Sequence, residues 1–109
     1  MFRGALVDLT KLRDYCLSSE HPRGRHKARV FRSRLGLTAS DAELLRTALL
    51  DAAQRHRRNL IPAGKDVYGQ RFFLDFEMTT EMGTAIIRSG WIVPTGERPM
   101  RFLTCYVLN

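Results

Sequence analysis

The sequence predicts an α+β domain: two or three N-terminal helices packed on a three- to four-stranded antiparallel β-meander. Two observations carry this. Before about residue 60, apolar residues recur at helical spacing, and after it they alternate with period two. The alternating stretches are joined by short turns, which connect antiparallel neighbours. A chain of 109 residues is one domain by size and long enough to build a core without staples. Positions 1–109 are therefore expected to form a single domain, with no repeats and no interdomain linker.

Leu9, Leu12, Tyr15 and Cys16 fall at helical spacing, with Asp8 or Thr10 as the cap, and this helix should end before Pro22. A basic loop follows. The second helix is expected to start near Arg25, to bury Ala28, Phe31 and Leu35, and to stop at Gly36. Ser40 and Glu43 have the spacing of a capping box, opening a third helix from about Asp41 to His56 with Leu45, Ala48, Leu49 and Ala52 as its buried stripe. The basic run Arg55 to Arg58 suits a helix C-terminus and needs no ligand to explain it.

Asn59 to Asp66 reads as a loop around Pro62 and Gly64, leading to a short strand at Val67–Tyr68. Phe72, Leu74, Phe76 and Met78 then alternate with Phe73, Asp75, Glu77 and Thr79, a half-buried strand. A turn near Glu81–Gly83, a strand from about Thr84 to Val93, a turn over Pro94–Pro99 and a last strand from Met100 to Leu108 complete the meander.

Charge narrows the function classes. Eighteen Lys and Arg stand against eleven Asp and Glu, a net +7, and only Lys11, Lys27 and Lys65 are lysines. Arginine makes planar two-point contacts with phosphate, so the excess points to a polyanionic partner: nucleic acid, an acidic protein or an anionic surface. Cys16 and Cys105 are the only cysteines. Without CxxC or Cys/His zinc spacing, they read as buried reduced thiols of a cytoplasmic protein. No apolar run is long enough to span a membrane, and no signal peptide is expected. Walker A, GxGxxG, HExxH and GxSxG motifs are absent, and the carboxylates are scattered. No metal and no cofactor are expected.

The densest cationic stretch is His21 to Arg34, with His21, Arg23, Arg25, His26, Lys27, Arg29, Arg32 and Arg34. On a helix, His26, Arg29 and Ser33 lie opposite Ala28, Phe31 and Leu35. That surface is either a solvated face or a phosphate site. RNA cleavage by its own 2′-hydroxyl needs a base, an acid and a cation but no metal, and this stretch supplies them. Arg88 lies mid-strand among Ile86, Ile87 and Trp91, so it needs a partner or a ligand. Asp75 or Glu77 should lie opposite it, depending on the register of the turn. Thr104 and Tyr106 share one face of the last strand, where they contact a phosphate or simply fill a sheet surface. Trp91 reads as core.

Two runs carry a family resemblance. The first is Leu9-Thr10-Lys11-Leu12 through Tyr15, followed by His21-Pro22-x-Gly24-x-His26-Lys27-Ala28-x-x-Phe31. The second is Tyr68-Gly69-Gln70-Arg71-Phe72 through Asp75-Phe76, then Arg88-Ser89-x-Trp91-Ile92 and Thr104-x-Tyr106. Together they resemble a bacterial family of small domains of unknown function. That family in turn resembles the barnase–EndoU–colicin–RelE class of ribonuclease toxins, whose sites combine a His or Lys near the second helix with an Arg and a Ser or Thr on the strands. The resemblance implies His26, Lys27, Arg88 and Thr104 as catalytic residues, with His21 and Tyr106 beside them. Arg23 and Arg29, from the cationic stretch, join His21 and Tyr106 as expected substrate contacts.

The resulting expectation is a metal-independent endoribonuclease, the toxin of a toxin–antitoxin pair. Its partners would be an RNA substrate and a small acidic antitoxin. The rival is a non-catalytic basic module that binds nucleic acid or an acidic protein. A structural assembly component is a third reading.

Overall fold

A computed structural model describes residues 4–96 and 99–108. The order is β1 (Ala5–Leu6), α1 (Leu9–Lys11), a π-helical turn over Leu12–Cys16, α2 (Arg25–Leu35), a 3-10 turn over Ala39–Asp41 and α3 (Ala42–Arg55). A second 3-10 turn (Arg57–Asn59) leads into β2 (Ile61–Asp66), β3 (Gly69–Thr80), β4 (Gly83–Pro94) and β5 (Met100–Val107). The fold is mixed α+β, as the change of period predicts, with the long strands in the C-terminal half.

Helix α2 buries Ala28, Phe31 and Leu35 and ends on left-handed Gly36 (φ 70°), whose N–H bonds the Arg32 carbonyl at 2.9 Å. A Cβ is disfavoured in that conformation, which is why glycine ends the helix. Helix α3 buries Ala42, Leu45, Leu49, Ala52 and Ala53. Its capping box is not the expected Ser40–Glu43 pair. The backbone turns one 3-10 step earlier, so the Thr38 N–H donates to the Asp41 carboxylate at 2.8 Å and the box lies two residues upstream.

Among the described residues the sheet has five strands in the order β1-β5-β4-β3-β2. Strands β2 to β5 are antiparallel neighbours, while β1 runs parallel to β5 through Ala5↔Met100 and Leu6↔Arg101. The sheet is therefore larger than the expected three or four strands, and it is mixed. The expected loop over 59–66 contains β2 from Ile61, and Val67–Tyr68 is the turn of the β2–β3 hairpin, not a strand. Of the expected Pro94–Pro99 turn, positions 97 and 98 lie outside the described residues. The first helix is also shorter than its apolar spacing suggests. Only Leu9–Lys11 is α-helical, before the wider π turn over Leu12–Cys16.

The helices cover one face of the sheet. Leu74, Ile87, Trp91, Phe102 and Cys105 meet Leu12, Phe31, Leu35, Leu45 and Leu49 there, all buried. One polar residue is built into this core. Ser89 is fully buried, donates to the Leu74 carbonyl at 2.7 Å and accepts from the Trp91 indole at 2.8 Å. Every polar atom of that trio is satisfied, so the core carries it without a desolvation penalty. Trp91 meets Phe102 edge to face, at 5.6 Å between centroids. Among the described residues no helix is long and apolar enough to cross a membrane.

Candidate functional site

The site is assembled where α2 passes the C-terminal part of β5, beyond its pairing with β1. Gly24 permits the approach. A Cβ there would lie 2.2 Å from the Tyr15 carbonyl oxygen, so no other residue lets the start of α2 rest on the π turn. His21 shapes the preceding loop. Its Nδ1 accepts from the N–H groups of Arg23 (3.0 Å) and Gly24 (3.1 Å), and its ring meets the edge of Tyr15 at 4.6 Å. Nδ1 therefore carries the lone pair and Nε2 the hydrogen.

One residue into the next turn, Lys27 reaches across. Its ammonium lies 5.6 Å from the Tyr15 ring centroid and 5.2 Å from that of Tyr106 on β5, within cation–π range of both. A cleft of about 250 Å³ opens here, lined by His26, Lys27, Val30, Tyr106 and Val107.

On the sheet face away from the core, Asp75, Arg88 and Tyr106 lie directly opposite one another on three adjacent strands. Arg88 grips Asp75 with two parallel bonds, Nε to Oδ1 and Nη2 to Oδ2, both 2.8 Å, and stacks over the Phe73 ring at 5.1 Å. The guanidinium holds the Asp75 carboxyl below its usual range. Asp75 in turn, with Tyr106 adding to it, raises the pKa of Arg88. Of the two partners the sequence offered Arg88, the register selects Asp75, and Glu77 lies opposite Ile86. The fork is thus closed on Asp75 through two of its three nitrogens, and Tyr106 is a further hydrogen-bonding neighbour of the guanidinium.

Behind β5, the two cysteines form a buried pair. A hydrogen bond from Cys105 lowers the Cys16 thiol to about 7, with Thr104 and the charge of Lys27 acting in the same direction, while burial pushes Cys105 up. The Thr104 hydroxyl lies 4.0 Å from Cys16 Sγ and its methyl sits near Gly90. Of the expected site residues, His26, Lys27 and Tyr106 share the cleft, with Arg88 next to Tyr106. His21 reaches the group only through Tyr15. Thr104 is turned toward Cys16, and Arg23 is exposed in the turn before α2. Arg29 lines a different cleft, on the other flank of α2. Among the described residues no cluster of His, Cys, Asp and Glu converges as a metal site needs.

The chain belongs to a family described as "Domain of unknown function (DUF6883)", whose model matches residues 2–109. No curated protein and no solved structure matches it. Membership in DUF6883 therefore covers the whole site, helical and strand halves alike, and names no activity for it.

Sequence reasoning missed Tyr15, which supports both His21 and Lys27, and the pairing of Cys16 with Cys105. Tyr15 reads locally as one more apolar residue on a helical stripe. Its role depends on Gly24 bringing α2 against it, and no local pattern reports that approach.

Proposed function

We propose that the protein is a metal-independent endoribonuclease acting at the cleft between α2 and β5. The observation that carries this reading is the placing of Lys27 over the Tyr106 ring, with His26 in the same cleft and Arg88 alongside. These are the groups that cleavage by the 2′-hydroxyl requires. The motif likeness to ribonuclease toxins points to His26, Lys27 and Arg88 as well, and also to Thr104, whose hydroxyl lies against Cys16. In this reading His26 takes the 2′-hydroxyl proton as that oxygen bonds to phosphorus. Lys27 gives a proton to the 5′ oxygen as its bond to phosphorus breaks. The Arg88 guanidinium and the Tyr106 hydroxyl hold the phosphoryl oxygens. The products are a 2′,3′-cyclic phosphate and a 5′-hydroxyl end.

Incubation with total RNA in EDTA tests the proposal. Cleavage with cyclic-phosphate ends is expected, and the His26→Ala protein should be slower by about 100-fold or more. RNA left intact by folded protein at high concentration would sink it. The toxin assignment adds a small acidic antitoxin seated over the same cleft, steered by the +7 charge. Growth arrest on expression, relieved by the neighbouring gene, is the outcome expected.

One observation favours the rival reading, a non-catalytic basic module. The closed Asp75–Arg88 pair already satisfies most of the cation on the strands. RNA binding that weakens with salt, without cleavage or growth arrest, would select it.

A further inference from the structure

Helix α2 has a second cationic flank, separate from the Lys27 cleft. Arg25, Arg29 and Arg32 follow one another at spacings of four and three, which places them on one stripe of the helix. At 100° per residue this stripe is turned nearly half a revolution from Lys27. The three side chains line a cleft of about 350 Å³ whose far wall carries the hydroxyl residues Ser19, Thr38 and Ser40.

All three arginines are exposed, and among the described residues none has a carboxylate within ion-pair distance. Arg23, Arg58 and Arg101 likewise have no such partner among the described residues, but they do not stand together on one helix stripe. Arg13, Arg46, Arg55, Arg71 and Arg88 each have an acidic partner. Three neighbouring guanidinium groups without counter-charge repel one another, and a bound anion relieves that repulsion.

We propose that this cleft binds a backbone phosphate of the same RNA strand whose reacting nucleotide is held at the Lys27 cleft. The proposal rests on the ribonuclease reading for its choice of polymer. Two features favour RNA over an acidic protein. The cleft is of nucleotide size, far short of a protein interface. In addition, α2 presents cations to both of its flanks, so a strand crossing its exposed ridge, which bears His26, meets charge on either side. The arginines then fix the strand and its register, while the opposite flank carries the chemistry.

The test uses a short fluorescent 2′-O-methyl oligoribonucleotide, which keeps the phosphates but lacks the nucleophile and cannot be cleaved. Arg25→Gln/Arg29→Gln/Arg32→Gln is compared with Arg55→Gln/Arg57→Gln/Arg58→Gln, which loses the same charge at the end of α3. The first triple is expected to weaken binding by about 10- to 100-fold and to lower the slope of log affinity against log salt by about 0.7 to 1.4, the loss of one or two phosphates. The second should change either quantity far less. Equal effects from the two triples would mean general charge only and overturn the proposal, as would a parent protein that does not bind the oligonucleotide. Polyglutamate competing as well as RNA, with the same arginine dependence, would make the cleft an acidic-peptide site and overturn it too. Arg→Lys replacements at the three positions keep the charge and remove the fork. They serve where the Gln triple does not fold, and an intermediate loss is expected. Because the ligand cannot be cleaved, tight arginine-dependent binding stands even if the RNA cleavage assay fails.

Discussion

Arg88 and Ser89 are chain neighbours on β4, yet they face opposite sides of the sheet and solve the problem of a mid-sheet polar group in opposite ways. Ser89 faces the helices and is fully buried, with its hydroxyl both donating and accepting inside the core. Arg88 faces away from them, half-buried, and is held by the Asp75 carboxylate and the Phe73 ring. The first arrangement is closed and has nothing left to offer a ligand. The second leaves the guanidinium partly exposed beside Tyr106, where a ligand can reach it. A strand two residues wide in character thus separates a group that specifies the core from one available for function.

Exchanging the largest functional effect for a structural one would break this comparison. Arg88→Ala is expected to lower RNA cleavage by about 100-fold or more, the scale of a lost transition-state cation. Its thermal midpoint should move less than that of the Ser89 variant. A folded Arg88→Ala protein with full activity removes Arg88 from the site and leaves the sheet half of the cleft without a cation for the phosphate.

Ser89→Ala is the converse. It leaves the buried Trp91 indole N–H without its acceptor, at a cost of about 1–3 kcal/mol. Chemical denaturation measures this, and cleavage by the protein that remains folded should be nearly unchanged. A neutral Ser89→Ala would mean the indole finds another acceptor and that the core does not depend on the serine.

The smallest effect sharpens the comparison by pH. The folded Asp75 carboxyl is held low, chiefly by its bonds from Arg88. An acid whose folded pKa is depressed contributes stability that is fully present above its unfolded value, about 3.9, and is lost as pH falls through the folded value. For a pair this close to solvent the contribution is below about 1 kcal/mol. Urea midpoints of the parent and of Asp75→Asn should differ at pH 7 and converge as the pH is lowered below about 4. A gap that persists undiminished in acid would show that Asp75 acts by packing and not by charge.

Much of this was legible in advance because it depends on local pattern. The Gly36 stop, the apolar stripes of α2 and α3, the alternation along β3 and the burial of Trp91 and both cysteines follow from side chains spaced at a helix or strand period. Even the pairing of Arg88 is narrowed by the sequence to two carboxylates on one strand face. The long strands and the cationic nature of α2 were therefore properties of the sequence by itself.

The tertiary structure decided the rest, wherever a residue's state is set by a partner distant in the chain. Strand β1 has only two residues, Ala5 and Leu6, and exists because Met100 and Arg101 offer it a parallel edge. Strand β2 contains Pro62 and Gly64 and is exposed throughout, so it has no alternation to read, and β3 templates it across a shifted register. The turn at Glu81–Met82 set the register that gave Arg88 to Asp75 and not to Glu77. The close approach at Gly24 fixed the rotation of α2 over the π turn, and with it which cations face β5 and which face the other flank. Period and propensity act over a few neighbouring residues, whereas strand pairing and helix rotation are chosen by long-range contacts that no short window of sequence contains.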